Sequence, residues 1–173
     1  GGDDGLYEDR KFQQNIQGAL ANGIQVGVYF YSGASNAREA YDEASYCISL
    51  IRNYQITYPV AFDWELDGDY DSVTEACETF CNVISSYGYQ PMVYSNRNRW
   101  YNNFDGEKIA SKYKVWMAAY FGKFYYDSVR WTYGDDLPNF RYHYDMWQYS
   151  SRCYVDGISG QVDVDIAFFG YAN

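Results

Sequence analysis

The 173-residue chain carries 23 acidic against 13 basic side chains, a formal net charge of −10. So acidic a surface excludes binding to a phosphate backbone, and hence nucleic acid, while the lack of any run of about 18 apolar residues excludes a helical membrane span. The length fits one domain, 1–173, with a substantial core.

Tyrosine is abundant, with 22 residues in a chain that is 21% aromatic. Clustered Tyr and Trp suit sugar binding, because rings stack on pyranose faces and hydroxyls donate hydrogen bonds, but the same residues also suit half-buried packing. Cys47, Cys77, Cys81 and Cys153 show no CxxC spacing for zinc. They read as small core residues, with a disulfide through Cys47 as the lesser alternative.

In chain order, Gly1 to Glu8 is a polar, Gly-rich loop. Phe12, Ile16, Ala19 and Leu20 recur at helical spacing between Asp9 and Asn22, and Gly23 is a stop signal. Ile24 to Tyr31 alternates as a strand, with Ile24, Val26, Val28 and Phe30 on one face and Gln25, Gly27, Tyr29 and Tyr31 on the other. Asn36 and Glu39 form a capping-type start to a helix with Ala37, Ala40, Tyr41, Ala44, Ile48 and Ile51 as its stripe.

That helix leads to Tyr58-Pro-Val-Ala-Phe-Asp-Trp-Glu65, an apolar strand ending in two acids. Alternation puts Asp63 and Glu65 on one face about 6.6 Å apart, at the C-terminal end where reactive groups of parallel sheets sit. Val60, Phe62 and Trp64 then face a covering helix. A calcium loop is a rival reading, since Asp63, Glu65, Asp67, Gly68, Asp69 and Asp71 fit an EF-hand spacing. However, the twelfth position is Thr74 rather than Glu, and the preceding segment is not helical.

Ser72 and Glu75 read as a capping box for a helix bearing Val73, Ala76, Cys77, Phe80 and Ile84, ended by Gly88. Pro91 to Asn96 is a strand, and Arg97 to Tyr113 holds only short helical turns. Val115 to Tyr120 is a further strand with Trp116, Ala118 and Tyr120 on one face, and 121–141 is a long aromatic loop. Tyr142 to Tyr149 is a strand and Arg152 to Gly160 carries hairpin turns. Val162 to Phe168 closes the chain as a strand with Asp163 and Asp165 on one face. The expectation is an α/β fold with about six strands, an irregular TIM-like β/α barrel with a degenerate second half.

The motifs Asn15-x-x-Gly18-Ala19, Gly27-Val-Tyr-Phe-Tyr-Ser32, Pro59-Val-Ala-Phe-Asp-Trp-Glu65, Tyr94-Ser-Asn96, Trp116-Met-Ala-Ala-Tyr120, Trp147-Gln-Tyr-Ser150 and Val162-Asp163, in that order, resemble glycoside hydrolase family 25. These are the Chalaropsis-type lysozymes, N-acetylmuramidases of peptidoglycan. The resemblance implies a barrel of eight strands and five helices, with no metal or cofactor and a secreted or cell-wall-associated protein of bacterial or phage origin. It also implies Glu65 as general acid, Asp63 as its companion and Asp163 as an acid on the last strand. Asp165 stands where the family more often has Asn. Tyr29, Tyr31, Tyr94, Trp116, Tyr120 and Gln148 match positions that line the family's sugar groove, although barrel packing suits each aromatic equally well.

A general acid must hold its proton, and the like charges of Asp63 and Asp163 with aromatic walls would favour that for Glu65. The family's opening Asp-bearing strand and the strand after it have no counterpart, and Asp3, Asp4 and Asp9 do not replace them. The resemblance therefore implies an N-terminally incomplete member whose open sheet edges invite a missing segment or self-association. A non-catalytic glycan-binding or structural remnant is the alternative. A chitinase-type Asp-x-Asp-x-Glu series fails at Ala61.

Overall fold

The computed structural model describes residues 5–68, 70–120 and 137–169. The chain runs α1 (Phe12–Ala21), β1 (Val28–Ser32), α2 (Ala37–Ile51), β2 (Val60–Trp64), α3 (Val73–Ser86), β3 (Pro91–Asn96), α4 (Arg97–Asn102), α5 (Gly106–Ala110), β4 (Lys114–Ala118), β5 (Met146–Cys153) and β6 (Val162–Ala167). The six strands form one sheet in sequence order. β1 to β5 are parallel and β6 is antiparallel to β5. The result is an α/β fold with a curled, mostly parallel sheet, as expected; the larger part of the expected loop over 121–141 lies outside the described residues.

The two-residue pleat sorts each strand into two faces. Phe30, Val60, Phe62, Trp64, Val93, Val115, Met117, Trp147 and Tyr149 lie in one core with the buried stripes of α2 and α3. Phe80 of α3 is wedged between strands, its ring centroid 5.2 Å from that of Phe62 and 6.1 Å from that of Phe30. Trp64, fully buried, donates from its indole N–H to the Ala34 carbonyl at 3.2 Å, and its own carbonyl accepts from the Ser95 hydroxyl at 2.8 Å. These bonds tie the end of β2 to the segment after β1 and to β3. All four cysteines are buried, and none forms a disulfide among the described residues.

Several boundaries differ from expectation. The strand expected from Ile24 begins at Val28, and Ile24 is 58% exposed. At Gly27 the chain crosses so close to the Tyr58–Pro59 backbone that a Cβ would stand 2.7 Å from the Pro59 carbonyl oxygen. Asn36 caps α2, accepting from the Glu39 N–H, but the Glu39 carboxylate accepts from the N–H of Ser35 rather than that of Asn36. Ser72 makes no side-chain cap at α3, because its backbone (φ −104°, ψ 6°) is not in the extended form that aims a hydroxyl into the first turn.

β4 ends at Ala118, so Tyr120 lies beyond the strand. β5 starts at Met146 rather than Tyr142, because Phe140 and Tyr142 pack on Trp100 and Tyr101 of α4 instead of pairing in the sheet.

Removing the Phe80 ring takes away the support shared by β1 and β2. Phe80→Ala is expected to cost about 3–5 kcal/mol, read as a lower urea midpoint at unchanged m-value.

Candidate active site

Register and pleat together specify what shares the face away from the helices. Tyr31 pairs with Asp63, Asp63 with Tyr94, Tyr94 with Trp116, and Trp116 with Met146. Two residues further along each strand, Asn96 pairs with Ala118 and Ala118 with Gln148, which pairs with Asp165 of β6. Glu65, one residue past β2, continues the Asp63 side of the strand towards its C-terminal end. One face is thus apolar under the helices, while the other gathers Asp63, Asp165 and a band of aromatic rings.

The side chains on that face bond to one another. The Tyr94 hydroxyl donates to Gln148 Oε1 at 2.7 Å, the Tyr120 hydroxyl donates to the same oxygen, and the Trp116 indole N–H donates to Asp165 Oδ1 at 2.7 Å. Tyr94 and Gln148 are buried, at 7% and 4% exposure, and so build the floor. Tyr29, Tyr31 and Tyr120 stand exposed along the rim, Tyr29 at 64%. The structure therefore brings the expected residues to one face but divides them into a hydrogen-bonded floor and an accessible rim. Burial raises the Tyr94, Tyr29 and Tyr31 phenols, and nearby carboxylates add to the effect.

The acids differ in setting. Asp63 is 6% exposed, and its Oδ1 is buried without a hydrogen-bond partner among the described residues. Burial first, and then the negative charges of Glu65 and Asp163, push its carboxyl up to about 8, while the Arg99 cation pulls it down. Burial within the face pushes Asp165 up to about 7 against the Trp116 N–H, although one side of it meets water. Asp163 is raised by the same desolvation. Asp63 is thus the acid of the pair with low-dielectric surroundings. The Glu65 side chain is 36% exposed and lies 3.8 Å from an Arg99 guanidinium nitrogen.

Arg99 is a site residue that no sequence motif singles out. Its one signal there is its place three residues after the Tyr94-Ser-Asn96 motif, in a stretch read as irregular. Asn96 caps α4, accepting from the Arg99 N–H at 3.0 Å, and Arg99 reaches back to the loop after β2. There its Nε donates to the Leu66 carbonyl at 3.1 Å and its Nη2 to Asp67 Oδ1 at 2.8 Å. Among the described residues no three His, Cys, Asp or Glu side chains converge as a metal site.

An α/β half-barrel with a curled, mostly parallel sheet is a TIM-like fold. The chain belongs to the glycosyl hydrolases family 25, whose family model matches residues 3–158. It is 26% identical over 164 residues to the autolytic lysozyme of Clostridium acetobutylicum, covering 92% of this chain and 44% of that protein. Among solved structures it is similar to the CTP1L endolysin, with a TM-score of 0.75 at 26% identity, covering 94% of this chain and 54% of that one. It is also similar to the autolysin LytC from Streptococcus pneumoniae in complex with a synthetic peptidoglycan ligand (TM-score 0.70, 28% identity, 92% and 37% covered). The chain therefore spans about half or less of the length of these relatives.

The raised Asp63 has a consequence for stability. The folded state holds a proton that the unfolded state releases, so stability falls as pH rises from the unfolded value near 4 towards about 8. Asp63→Asn keeps the shape and removes this titration. The variant is expected to be more stable than wild type by about 1–4 kcal/mol at pH 8, with the gap closing below pH 4, in urea titrations across pH.

Proposed function

We propose that this chain is a peptidoglycan hydrolase, an N-acetylmuramidase that cleaves the β-1,4 bond between N-acetylmuramic acid and N-acetylglucosamine. It would act as a single catalytic unit, secreted or associated with the wall. The observation that carries the reading is the pair Asp63 and Glu65 at the C-terminal end of β2, with Asp163 and Asp165 of β6 on the same aromatic-floored face. The family membership and the peptidoglycan ligand of a similar autolysin support the substrate class.

In this reading Glu65, the more accessible acid, gives its proton to the glycosidic oxygen as the bond to C1 breaks. Two routes share that step. In one, a carboxylate activates water, which attacks C1 with inversion. In the other, the acetamido oxygen of the substrate attacks C1, and Asp63 accepts a hydrogen bond from the acetamido N–H as positive charge grows there. Water then opens the ring intermediate, returning a proton to Glu65. An N–H donor at Asp63 favours its ionised form, offsetting the push from burial. Tyr29, Tyr31 and Tyr120 at the rim offer ring faces and hydroxyls to the sugars, with Trp116 in the floor beneath.

A second reading, glycan binding without hydrolysis, is favoured by one observation. Among the described residues β1 has no strand partner on its outer side, so the face is open there.

Release of reducing muramic-acid ends from purified walls separates the two. The wild-type chain is expected to release them and Glu65→Gln to be slower by about 10²–10⁴-fold. No release by either protein, with walls still bound, would establish the second reading.

A further inference from the structure

We propose that Arg99 is the positioning residue of the acid pair, its guanidinium fork fastening the loop after β2 to α4 so that the Glu65 carboxyl is held beside Asp63. The proposal rests on the muramidase reading above. Arg99 contacts three consecutive residues. Nε donates to the Leu66 carbonyl at 3.1 Å, Nη2 donates to Asp67 Oδ1 at 2.8 Å, and Nη1 stands 3.8 Å from Glu65 Oε2.

The first is a hydrogen bond to the backbone and fixes it, and the second is one to the exposed Asp67 carboxylate. The third is too long for one, so Arg99 supplies charge while leaving the Glu65 oxygens free for a substrate. Burial shows which partner is the anchor: the Arg99 side chain is 14% exposed, whereas that of Asp67 is 99% exposed. The fork is thus the fixed part, and the loop is drawn onto it.

Two further bonds stiffen the junction, from the Arg99 N–H to Asn96 Oδ1 and from the Asn103 amide to the Gly68 carbonyl at 2.9 Å. Lysine carries the charge but cannot donate to a carbonyl and a carboxylate at once in fixed geometry.

The charge also reaches Asp63. The groups around that carboxyl are Glu65 just past β2, Tyr29 and Tyr31 on β1, Tyr94 on β3 and Asp163 on β6. All are acidic or phenolic, and Arg99 is the cation opposing them at Asp63. It keeps Asp63 able to ionise when an acetamido N–H arrives.

The test compares wild type, Arg99→Ala and Arg99→Lys by two readouts: turnover of solubilised glycan strands against pH, and the Asp63 carboxyl midpoint by carbon NMR, which needs no activity. For Arg99→Ala the Asp63 midpoint is expected to move up by about half a pH unit or more, with kcat down about 10–100-fold and KM within about twofold. Arg99→Lys is expected to keep the midpoint near wild type while kcat stays low, since it retains charge without the fork. An unmoved midpoint in Arg99→Ala, or full recovery of kcat by lysine, overturns the proposal. Inactive wild type with a shifted midpoint in Arg99→Ala would sink the muramidase reading and leave Arg99 as the residue that sets the acid pair.

Discussion

The pleat of β2 is the constraint on which the rest depends. Five residues, Val60 to Trp64, are all buried, yet they serve two different environments. Val60, Phe62 and Trp64 bind the sheet to α2 and α3, and the same alternation forces Asp63 to the opposite face. A slip of one residue would put a carboxyl under Phe80 and a Trp among the acids. The apolar packing that stabilises the fold is therefore also what aims the acids, and register carries that aim outward to Tyr94, Trp116 and Gln148.

That geometry is costly at one point. A carboxyl at 6% exposure with an unpartnered oxygen would be replaced in any sequence selected for stability alone. Glu65 and Asp163 compound the cost by adding like charge nearby. A buried acid whose carboxylate neighbours raise its proton affinity further is a poor structural device. It suits a site that must hold and release protons near neutral pH.

Much of this was legible in the sequence where a local pattern carried it. Six strands and the faces of β1, β2 and β6 follow from two-residue alternation, and the buried stripes of α2 and α3 from helical spacing. The Asn36 cap was readable because it is a contact within four residues. What failed was what depends on a tertiary neighbour. Ile24 to Gly27 alternates like a strand, but contact with the Tyr58–Pro59 backbone governs it. Tyr142 has strand character yet packs on α4. Ser72 has the right residue type in the wrong backbone conformation. The division of Tyr94 and Gln148 from Tyr29 and Tyr31, floor from rim, needs the cross-strand bonds and was invisible in any one strand. The assignment of roles to Glu65 and Asp63 came from family resemblance, and nothing in the spacing ranks the two acids.

Arg99 shows why topology supplies what pattern cannot. In a parallel sheet all strands leave at the same end, so the loop after β2 and the first turn of the helix after β3 emerge side by side. Any long side chain near the start of α4 therefore lies within reach of the residues following Asp63. Asn96 caps that helix and fixes its first turn, which places residue 99 over residues 65 to 67. An arginine there neutralises part of the acidic charge that the register has concentrated, at a separation of more than 30 residues in sequence. The acids and the cation that opposes them are thus two consequences of one sheet order.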